Sequence, residues 1–178
     1  GDHRDLPSFP TRRSSDLKAY DGGGYDHGVE VVVDPHNDDA IVAGTSFIGP
    51  GNHDIVLVRY AVDGTLVWKK DLDLNGGDEA AAALAVDRSG VVCAVGSAGG
   101  DMLAAMFDHQ GLSVGAGIFA GAGEGFDYAV DVAFNAYGEA FVAGTSLNAG
   151  NNTDFAIFKL TSTVLPAPWP LTATDRKS

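Results

Sequence analysis

The chain repeats one pattern three times, and this repetition limits the folds it can adopt more than any other feature. Asp26, Glu79 and Asp127 each open a copy, at intervals of roughly fifty residues. Each copy contains short apolar runs separated by turn residues, and such runs predict β-strands. The runs occupy residues 31–34, 41–46, 54–60 and 65–70 in the first copy, 84–87, 93–98, 101–107 and 112–119 in the second, and 132–135, 141–146 and 154–160 in the third.

The residues between the runs predict hairpins, so consecutive strands should be antiparallel. Residues 87–90 and 135–138 each begin with Asp or Asn and end with glycine. This order is typical of a type I turn followed by a residue in the left-handed conformation. At 34–37, proline fixes the second position of the turn, and we expect Asn37 to take the left-handed conformation.

The third run of each copy predicts a strand that is covered on both faces. A sheet with one face in water alternates apolar and polar residues, but in the runs that start at Asp54 and Asp154 the next polar residues are Arg59 and Lys159. A radial stack of four-stranded sheets covers both faces and is a β-propeller. We therefore predict an all-β fold, a β-propeller fragment of about three four-stranded antiparallel blades. Because rings have roughly four to eight blades, we expect an open arc, with a β-trefoil as the alternative.

The same residues resemble a known family. The aspartates that open the strands, the G-T-S endings at 44–46 and 144–146, and the G-x-L-x-W ending at 64–68 are similar to the bacterial seven-bladed β-propeller repeat of the SBBP type. The resemblance covers about residues 21–160. It implies a non-catalytic propeller scaffold or adhesion segment of a secreted or cell-surface bacterial protein, with further blades of the same parent chain as its neighbours. The second copy lacks the tryptophan, and the third lacks a turn glycine after Leu160, so the fourth strand of the third copy is the weakest part of the prediction.

An enzyme is the least favoured interpretation. The G-x-x-x-W motif at 64–68 also occurs in quinoprotein dehydrogenases, where it docks neighbouring blades. Cys93 shares its strand position with Ile41 and Phe141, which predicts a small buried apolar residue and not a nucleophile. We predict that the chain has no enzymatic activity of its own.

The aspartates that open the strands predict one polar rim. The first and third strands of a blade run in the same direction, so their starts share an edge. This rim, with its adjoining loops, could bind Ca²⁺ or a carbohydrate, since Ca²⁺ takes oxygen ligands. Alternatively, the carboxylates accept hydrogen bonds from loop N–H groups, and their recurrence in every copy favours that structural role. The candidate residues are Asp26, Asp54, Glu79, Asp101, Asp127 and Asp154, together with Asn52, His53, Asn151 and Asn152.

A second polar cluster lies in one turn at the opposite rim. Asp34, Asn37, Asp38 and Asp39 are weak candidates for metal ligands, because their spacing lacks the bidentate glutamate of the helical Ca²⁺ loop. A solvated hairpin is the favoured interpretation. No cofactor is required by the sequence, and Ca²⁺ is the one that its oxygen-rich clusters allow.

Composition narrows the range of partners. The formal net charge of -13 argues against nucleic acid, whose phosphates require a basic surface. No apolar stretch is long enough to span a bilayer, so membrane insertion is not expected. A protein or glycan surface remains a possible partner. The single cysteine excludes a disulfide framework within this chain.

The two ends of the chain differ from the repeats. Residues 1–17 resemble the translation of a short-read sequencing adapter, from which they depart at Pro7, and we treat them as a non-native, disordered segment. Residues 18–165 are predicted to form the partial propeller, with blades at about 26–74, 79–120 and 127–165. Residues 166–178 are rich in proline and predict a tail or linker.

Overall fold

Short β-strands are the main regular structure of the described chain. The structure is a computed structural model that describes residues 18–73, 77–123, 125–150 and 152–162, and within these ranges it contains no helix. No helix that could cross a membrane is therefore found in these ranges. The strands are β1 (Asp26–Val33), β2 (Ala40–Gly49), β3 (Asn52–Tyr60), β4 (Leu66–Leu72), β5 (Glu79–Val86), β6 (Val92–Ala98), β7 (Asp101–Phe107), β8 (Ser113–Phe119), β9 (Tyr128–Phe134), β10 (Glu139–Leu147) and β11 (Thr153–Thr161).

The strands form three separate antiparallel sheets, each in the order of the sequence. Sheet 1 has the order β1-β2-β3-β4, sheet 2 has β5-β6-β7-β8, and sheet 3 has β9-β10-β11. The set of sheets is open, which confirms the all-β, antiparallel prediction and is consistent with a propeller-like fragment. Within the described ranges the strands do not close into the barrel of a β-trefoil.

Some of the predictions fall outside the part of the chain that the structure describes. Sheet 3 has three strands there, and the fourth strand predicted for the third copy would follow Ser162, beyond the last described residue. The adapter-like segment at 1–17 and the proline-rich tail at 166–178 also lie outside the described residues.

The hairpin turns follow the predicted chemistry in two cases and depart from it in one. Gly90 and Gly138 have positive φ angles of 82° and 75°, as the turn pattern predicts. In the first turn, Asp38 has a φ of 60°, whereas Asn37 has no positive φ, so the prediction for Asn37 is wrong. That turn contains one extra residue, which moves the left-handed position one place along the chain; the N–H of Asp38 donates to the carbonyl of Asp34 at 3.0 Å.

The sheets stack front to back, with an apolar core in each gap. We call the face of a sheet that is turned toward the next sheet in the chain its front face, and the opposite face its back face. The gap between sheets 1 and 2 contains Ile41, Ile55, Leu57 and Trp68 from the front of sheet 1, and Leu84, Leu103, Ala105 and Phe107 from the back of sheet 2. The gap between sheets 2 and 3 contains Cys93, Met102 and Met106 from the front of sheet 2, and Val132, Val142 and Phe158 from the back of sheet 3.

The sequence predicts that the third strand of each sheet, β3, β7 or β11, is buried on both faces. Residues 54–59 of β3 and 102–107 of β7 are all buried, as predicted. The prediction is wrong for β11, where exposed residues alternate with half-buried ones from Phe155 onward. The back face of β11 packs on sheet 2, but within the described chain no sheet covers its front face.

Trp68 fastens sheet 1 to sheet 2 at the edge opposite the strand-opening aspartates. Its indole Nε1 donates to the carbonyl oxygen of His109 at 3.1 Å. Its ring lies over Gly111, where a Cβ atom would come within 3.1 Å of Trp68 Cγ. Gly111 has a φ of 77°, so both its backbone conformation and its close contact favour glycine.

Candidate functional site

The strand-opening carboxylates of sheets 1 and 2 lie side by side at one edge. Asp26 and Asp54 both pair with Ser46 across the sheet, and Glu79 and Asp101 both pair with Ala98. The first and third strands of these sheets therefore start together. The surroundings of the individual carboxylates nevertheless differ.

Asp127 is a buried acceptor for the loops around it. It is 1% exposed, and its carboxylate accepts hydrogen bonds from the N–H groups of Gly121 and of Leu147, the latter at 2.8 Å. Burial raises its pKa, but the hydrogen bonds from Gly121, Ser146 and Leu147 outweigh burial and leave the pKa lowered. The ionised carboxylate thus fixes the connection between sheets 2 and 3.

Asp26 has the same role in sheet 1 at an exposed position. The hydroxyl of Ser46 donates to its Oδ1 at 2.5 Å, and the N–H of Gly22 donates to its Oδ2 at 2.8 Å. These two hydrogen bonds lower the pKa of Asp26. Asp26 and Asp127 therefore support the structural interpretation of the rim.

The polar residues at the start of β11 form an exposed local network. The amide nitrogen of Asn148 donates to Asp154 Oδ2 at 2.8 Å, and the N–H of Asn152 donates to Asn148 Oδ1 at 3.0 Å. Asp101 is half-buried at the start of β7, and Asn151 lies outside the described residues.

Three carboxylates converge where sheet 1 meets sheet 2, and we call them the rim cluster: Asp54, Asp73 and Glu79. One oxygen from each lies within 4.8 Å of the others. Asp54 and Glu79 are buried, at 8% and 1% exposure, whereas Asp73 is exposed. The sequence predicted Asp54 and Glu79 as rim residues but missed Asp73, which follows β4 and recurs in no other copy; the local signal was the acidic stretch at 71–79.

Two predicted polar residues hold the chain beside the rim cluster. With the Asn52 amide in the orientation that satisfies its neighbours, its nitrogen donates to Asp54 Oδ1 at 3.2 Å and to the carbonyl of Gly77 at 2.8 Å. His53 Nδ1 lies 2.5 Å from Asp78 Oδ1. These contacts tie the start of β3 to the segment that leads into β5. The structure thus brings four candidates, Asn52, His53, Asp54 and Glu79, into one place.

The electrostatics of the rim cluster are those of carboxylates that repel one another. Burial raises the pKa of Asp54, and the charges of Asp73 and Asp71 raise it further, while Lys69 opposes them. A divalent cation that takes oxygen ligands would be held by the three carboxylates of the cluster. No ion is needed to explain the hydrogen bonds of Asn52 and His53.

The opposite rim contains a buried ion pair in place of the expected solvated hairpin. Arg59, 2% exposed, donates from Nη2 to Asp34 Oδ2 at 2.5 Å and from Nε to Asp39 Oδ2 at 2.8 Å. Asn37 Oδ1 accepts from the same Nη2 at 3.2 Å. The guanidinium occupies the position that a metal would need, while Asp38 points away as an exposed residue. The expectation of a solvated turn holds for Asn37 and Asp38, which are exposed, and is wrong for Asp34 and Asp39, because the sequence pattern did not place Arg59 beside their carboxylates.

Cys93 behaves as the sequence predicted. It is fully buried in the gap between sheets 2 and 3, and burial raises the pKa of its thiol to about 12. A thiol with such a pKa is almost entirely protonated at neutral pH and is a poor nucleophile.

Neither the scan against protein-family models nor the search of curated proteins found a match.

Proposed function

We propose that the chain is a non-catalytic propeller scaffold or interaction segment of a secreted or cell-surface bacterial protein. The observation that carries the proposal is the stack of sheets with an apolar face at each end. Phe155 and Ile157 on the front of sheet 3 are 77% and 62% exposed, and Val31 on the back of sheet 1 is 59% exposed. Contiguous exposed apolar residues mark interaction surfaces.

Further sheets of the same parent chain are the partners that fit these faces best. In repeat proteins each unit buries its apolar face against the next, so an end unit exposes a surface that a neighbour would cover. The resemblance of the strand-opening aspartates and the G-x-L-x-W ending to the SBBP-type repeat supports this interpretation and supplies the proposed compartment.

The chemistry of the rims supports a role without catalysis. The carboxylates of Asp26 and Asp127 accept hydrogen bonds from their own loops, and those of Asp34 and Asp39 pair with Arg59. Groups engaged in this way hold the backbone in place. The inert thiol of Cys93 agrees with the same interpretation.

Sequencing of the parent reading frame, with fractionation of the cells that express it, tests the proposal. We expect further copies with strand-opening aspartates, a signal peptide, and protein in the surface or medium fraction. A parent without further copies, or one that stays in the cytoplasm, would refute the proposal. Catalytic side chains clustered in the channel of the parent would favour the propeller enzyme instead.

Binding of Ca²⁺ or a carbohydrate at the rim is the second candidate, and the rim cluster is the observation that bears on it. Calorimetric titration with Ca²⁺ decides the cation version, with Asp73→Asn as the test variant and Asp63→Asn, in the β3–β4 turn, as the matched control. Heat of Ca²⁺ binding that is lost in Asp73→Asn and kept in Asp63→Asn would establish the site. No heat, together with a melting temperature that a chelator does not change, would exclude it, and a glycan array without hits would exclude the carbohydrate version.

A further inference from the structure

The front face of sheet 3 carries apolar side chains like those that pack between two sheets, but no sheet of the described chain covers it. Its exposed apolar residues occupy the positions that are buried in the gap between sheets 1 and 2, counted from the strand-opening aspartate or along the matching strand. Phe141, Phe155 and Ile157 of sheet 3 are equivalent to Ile41, Ile55 and Leu57 of sheet 1. The three residues of sheet 1 are 0% exposed because the back face of sheet 2 covers them. The front face of sheet 3 therefore matches a back face of the kind that sheet 2 presents.

Sheet 1 presents such a back face. Its apolar residues Val31, Val42, Val56 and Val58 are equivalent to Leu84, Ala94, Leu103 and Ala105, which receive sheet 1 on the back of sheet 2. A cavity of about 210 Å³ opens on this face, and Val42, Val56, Val58 and Tyr20 line it. The back of sheet 1 is thus apolar and concave. Val31 is exposed on it, whereas Val56 and Val58 are buried and Tyr20 lines the same cavity.

The residues that precede β1 follow the path that a fourth strand takes toward the next sheet. A Cβ atom on Gly64 would lie 2.6 Å from Lys18 Cε, and one on Gly111 would lie 2.8 Å from Lys70 Cε. Lys70 belongs to β4 of sheet 1, whereas Gly111 belongs to sheet 2. Lys18 therefore contacts sheet 1 as the last strand of a preceding sheet would.

A second pair of contacts supports this equivalence. The N–H of Gly22 donates to Asp26 Oδ2, and the N–H of Gly121 donates to Asp127 Oδ2. Gly121 lies just beyond β8, the fourth strand of sheet 2. The segment at 18–22 thus enters sheet 1 as the end of β8 enters sheet 3.

We propose that a second copy of this chain docks head to tail, with the front face of sheet 3 of one copy on the back face of sheet 1 of the other. The contact repeats the front-to-back packing that joins sheets 1 and 2 and sheets 2 and 3. Residues 18–20 of the second copy then lie at this contact, because they already border the back of sheet 1. This inference rests on the proposed scaffold function, but it concerns the isolated chain and has its own test.

Charge predicts how the association depends on salt. Each copy carries a formal net charge of -13, so two copies repel each other at low ionic strength. Added salt screens this repulsion and leaves the apolar contact intact. Association should therefore strengthen as salt is added, whereas a contact between opposite charges would weaken.

Sedimentation velocity over a dilution series of the full 178-residue chain tests the proposal. The front-face variant is Ile157→Lys and the back-face variant is Val31→Lys. The control is Ile118→Lys, at an exposed position of β8 in sheet 2, which forms neither end face. Each variant adds one positive charge, so their net charges are equal. Circular dichroism melts of the three variants establish that each one is folded.

The wild-type chain and Ile118→Lys should increase in mass with concentration. Ile157→Lys and Val31→Lys should each weaken self-association on the order of tenfold or more. A mixture of these two variants should restore a complex of one copy of each that grows no further, because one intact front face and one intact back face remain.

Four results would overturn the head-to-tail contact. They are a wild-type chain that stays monomeric, a Val31→Lys variant that associates like the wild type, an Ile118→Lys variant that loses association, and a mixture of the front-face and back-face variants that forms no complex. None of these results bears on whether the parent protein has further copies or a signal peptide, so the two proposals fail separately.

Discussion

The front faces of sheets 1 and 3 carry similar side chains at equivalent positions and differ in what covers them. Ile55 and Leu57 of sheet 1 are buried against sheet 2, whereas Phe155 and Ile157 of sheet 3 are exposed. The strands themselves have the same length and the same pairing with their second strands. Burial of the front face of a sheet in this array therefore depends on the neighbouring sheet, and the first two of the following predictions test that dependence.

The largest difference in stability is expected for the basic residues at the ends of β3 and β11. Arg59 is buried between Asp34 and Asp39, and the equivalent Lys159 makes a more exposed ion pair with Glu139. Arg59→Met leaves two carboxylates buried without their counter-charge and should cost about 3–5 kcal/mol. Lys159→Met should cost about 1 kcal/mol or less, because an exposed pair contributes little. Urea unfolding, at protein concentrations too low for self-association, measures the loss of stability in both variants. Equal losses would show that burial does not distinguish the two ion pairs.

Truncation of an apolar residue should show the same contrast with a smaller effect. Leu57→Ala opens a cavity between sheets 1 and 2 and should cost about 2–5 kcal/mol. Ile157→Ala, at the equivalent exposed position, should change the free energy of unfolding by about 0.5 kcal/mol or less in the monomer. A large loss for Ile157→Ala at high dilution would mean that something within the chain already covers this face.

The sequence predicted the strands well because their determinants are local. Apolar runs bounded by glycine and by Asp or Asn establish hairpins within a few residues, and β3 and β7 are covered on both faces as their composition requires. The exposure of β11 could not be predicted, since its sequence is that of a covered strand. What differs is the neighbour, which the pattern within one copy does not contain.

The candidate site was predicted only in part, for a related reason. Repetition identified Asp54 and Glu79 but suggested that all rim carboxylates are equivalent. In the structure the rim cluster also contains Asp73, which is not repeated. The pairing of Arg59 with Asp34 and Asp39 joins residues from a strand and a distant turn, and only their opposite charges could have suggested it.

At the back faces the difference between sheets 1 and 3 is reversed, because the back of sheet 3 is covered by sheet 2. Asp127 is buried against sheet 2, and its N–H donates to the carbonyl of Gly100 at 2.6 Å, whereas the equivalent Asp26 is exposed. Asp127→Asn removes charge-assisted hydrogen bonds and should cost about 1–3 kcal/mol at neutral pH. Asp26→Asn should cost less, because water can replace its hydrogen bonds. Thermal melts of the two variants at neutral pH measure the difference.

The pH dependence of Asp127 follows from its lowered pKa. Its contribution to stability is fully present above the ordinary carboxyl value of 3.8 and is lost as the pH falls through the lower pKa of the folded state. The Asp127→Asn variant should therefore lose less stability than the wild type on acidification below that value. An identical acid transition in both proteins would show that this carboxylate is not stabilised by its hydrogen bonds.

The smallest change in stability is expected at Asp54, where the substitution should stabilise the fold and not destabilise it. Its pKa is raised by burial and by the charges of Asp73 and Asp71, so its ionised form destabilises the fold at neutral pH. That penalty is absent below 3.8 and appears as the pH rises through the raised pKa of the folded state. Asp54→Asn, which keeps an oxygen for the amide of Asn52, should stabilise the chain at neutral pH by about 1 kcal/mol or less. The control Asp63→Asn should be slightly destabilising, because hydrogen bonds from Thr65 lower the pKa of Asp63. If Asp54→Asn instead destabilises the chain in the presence of Ca²⁺ and not in the presence of a chelator, the rim cluster binds the cation and the structural interpretation of this carboxylate is wrong.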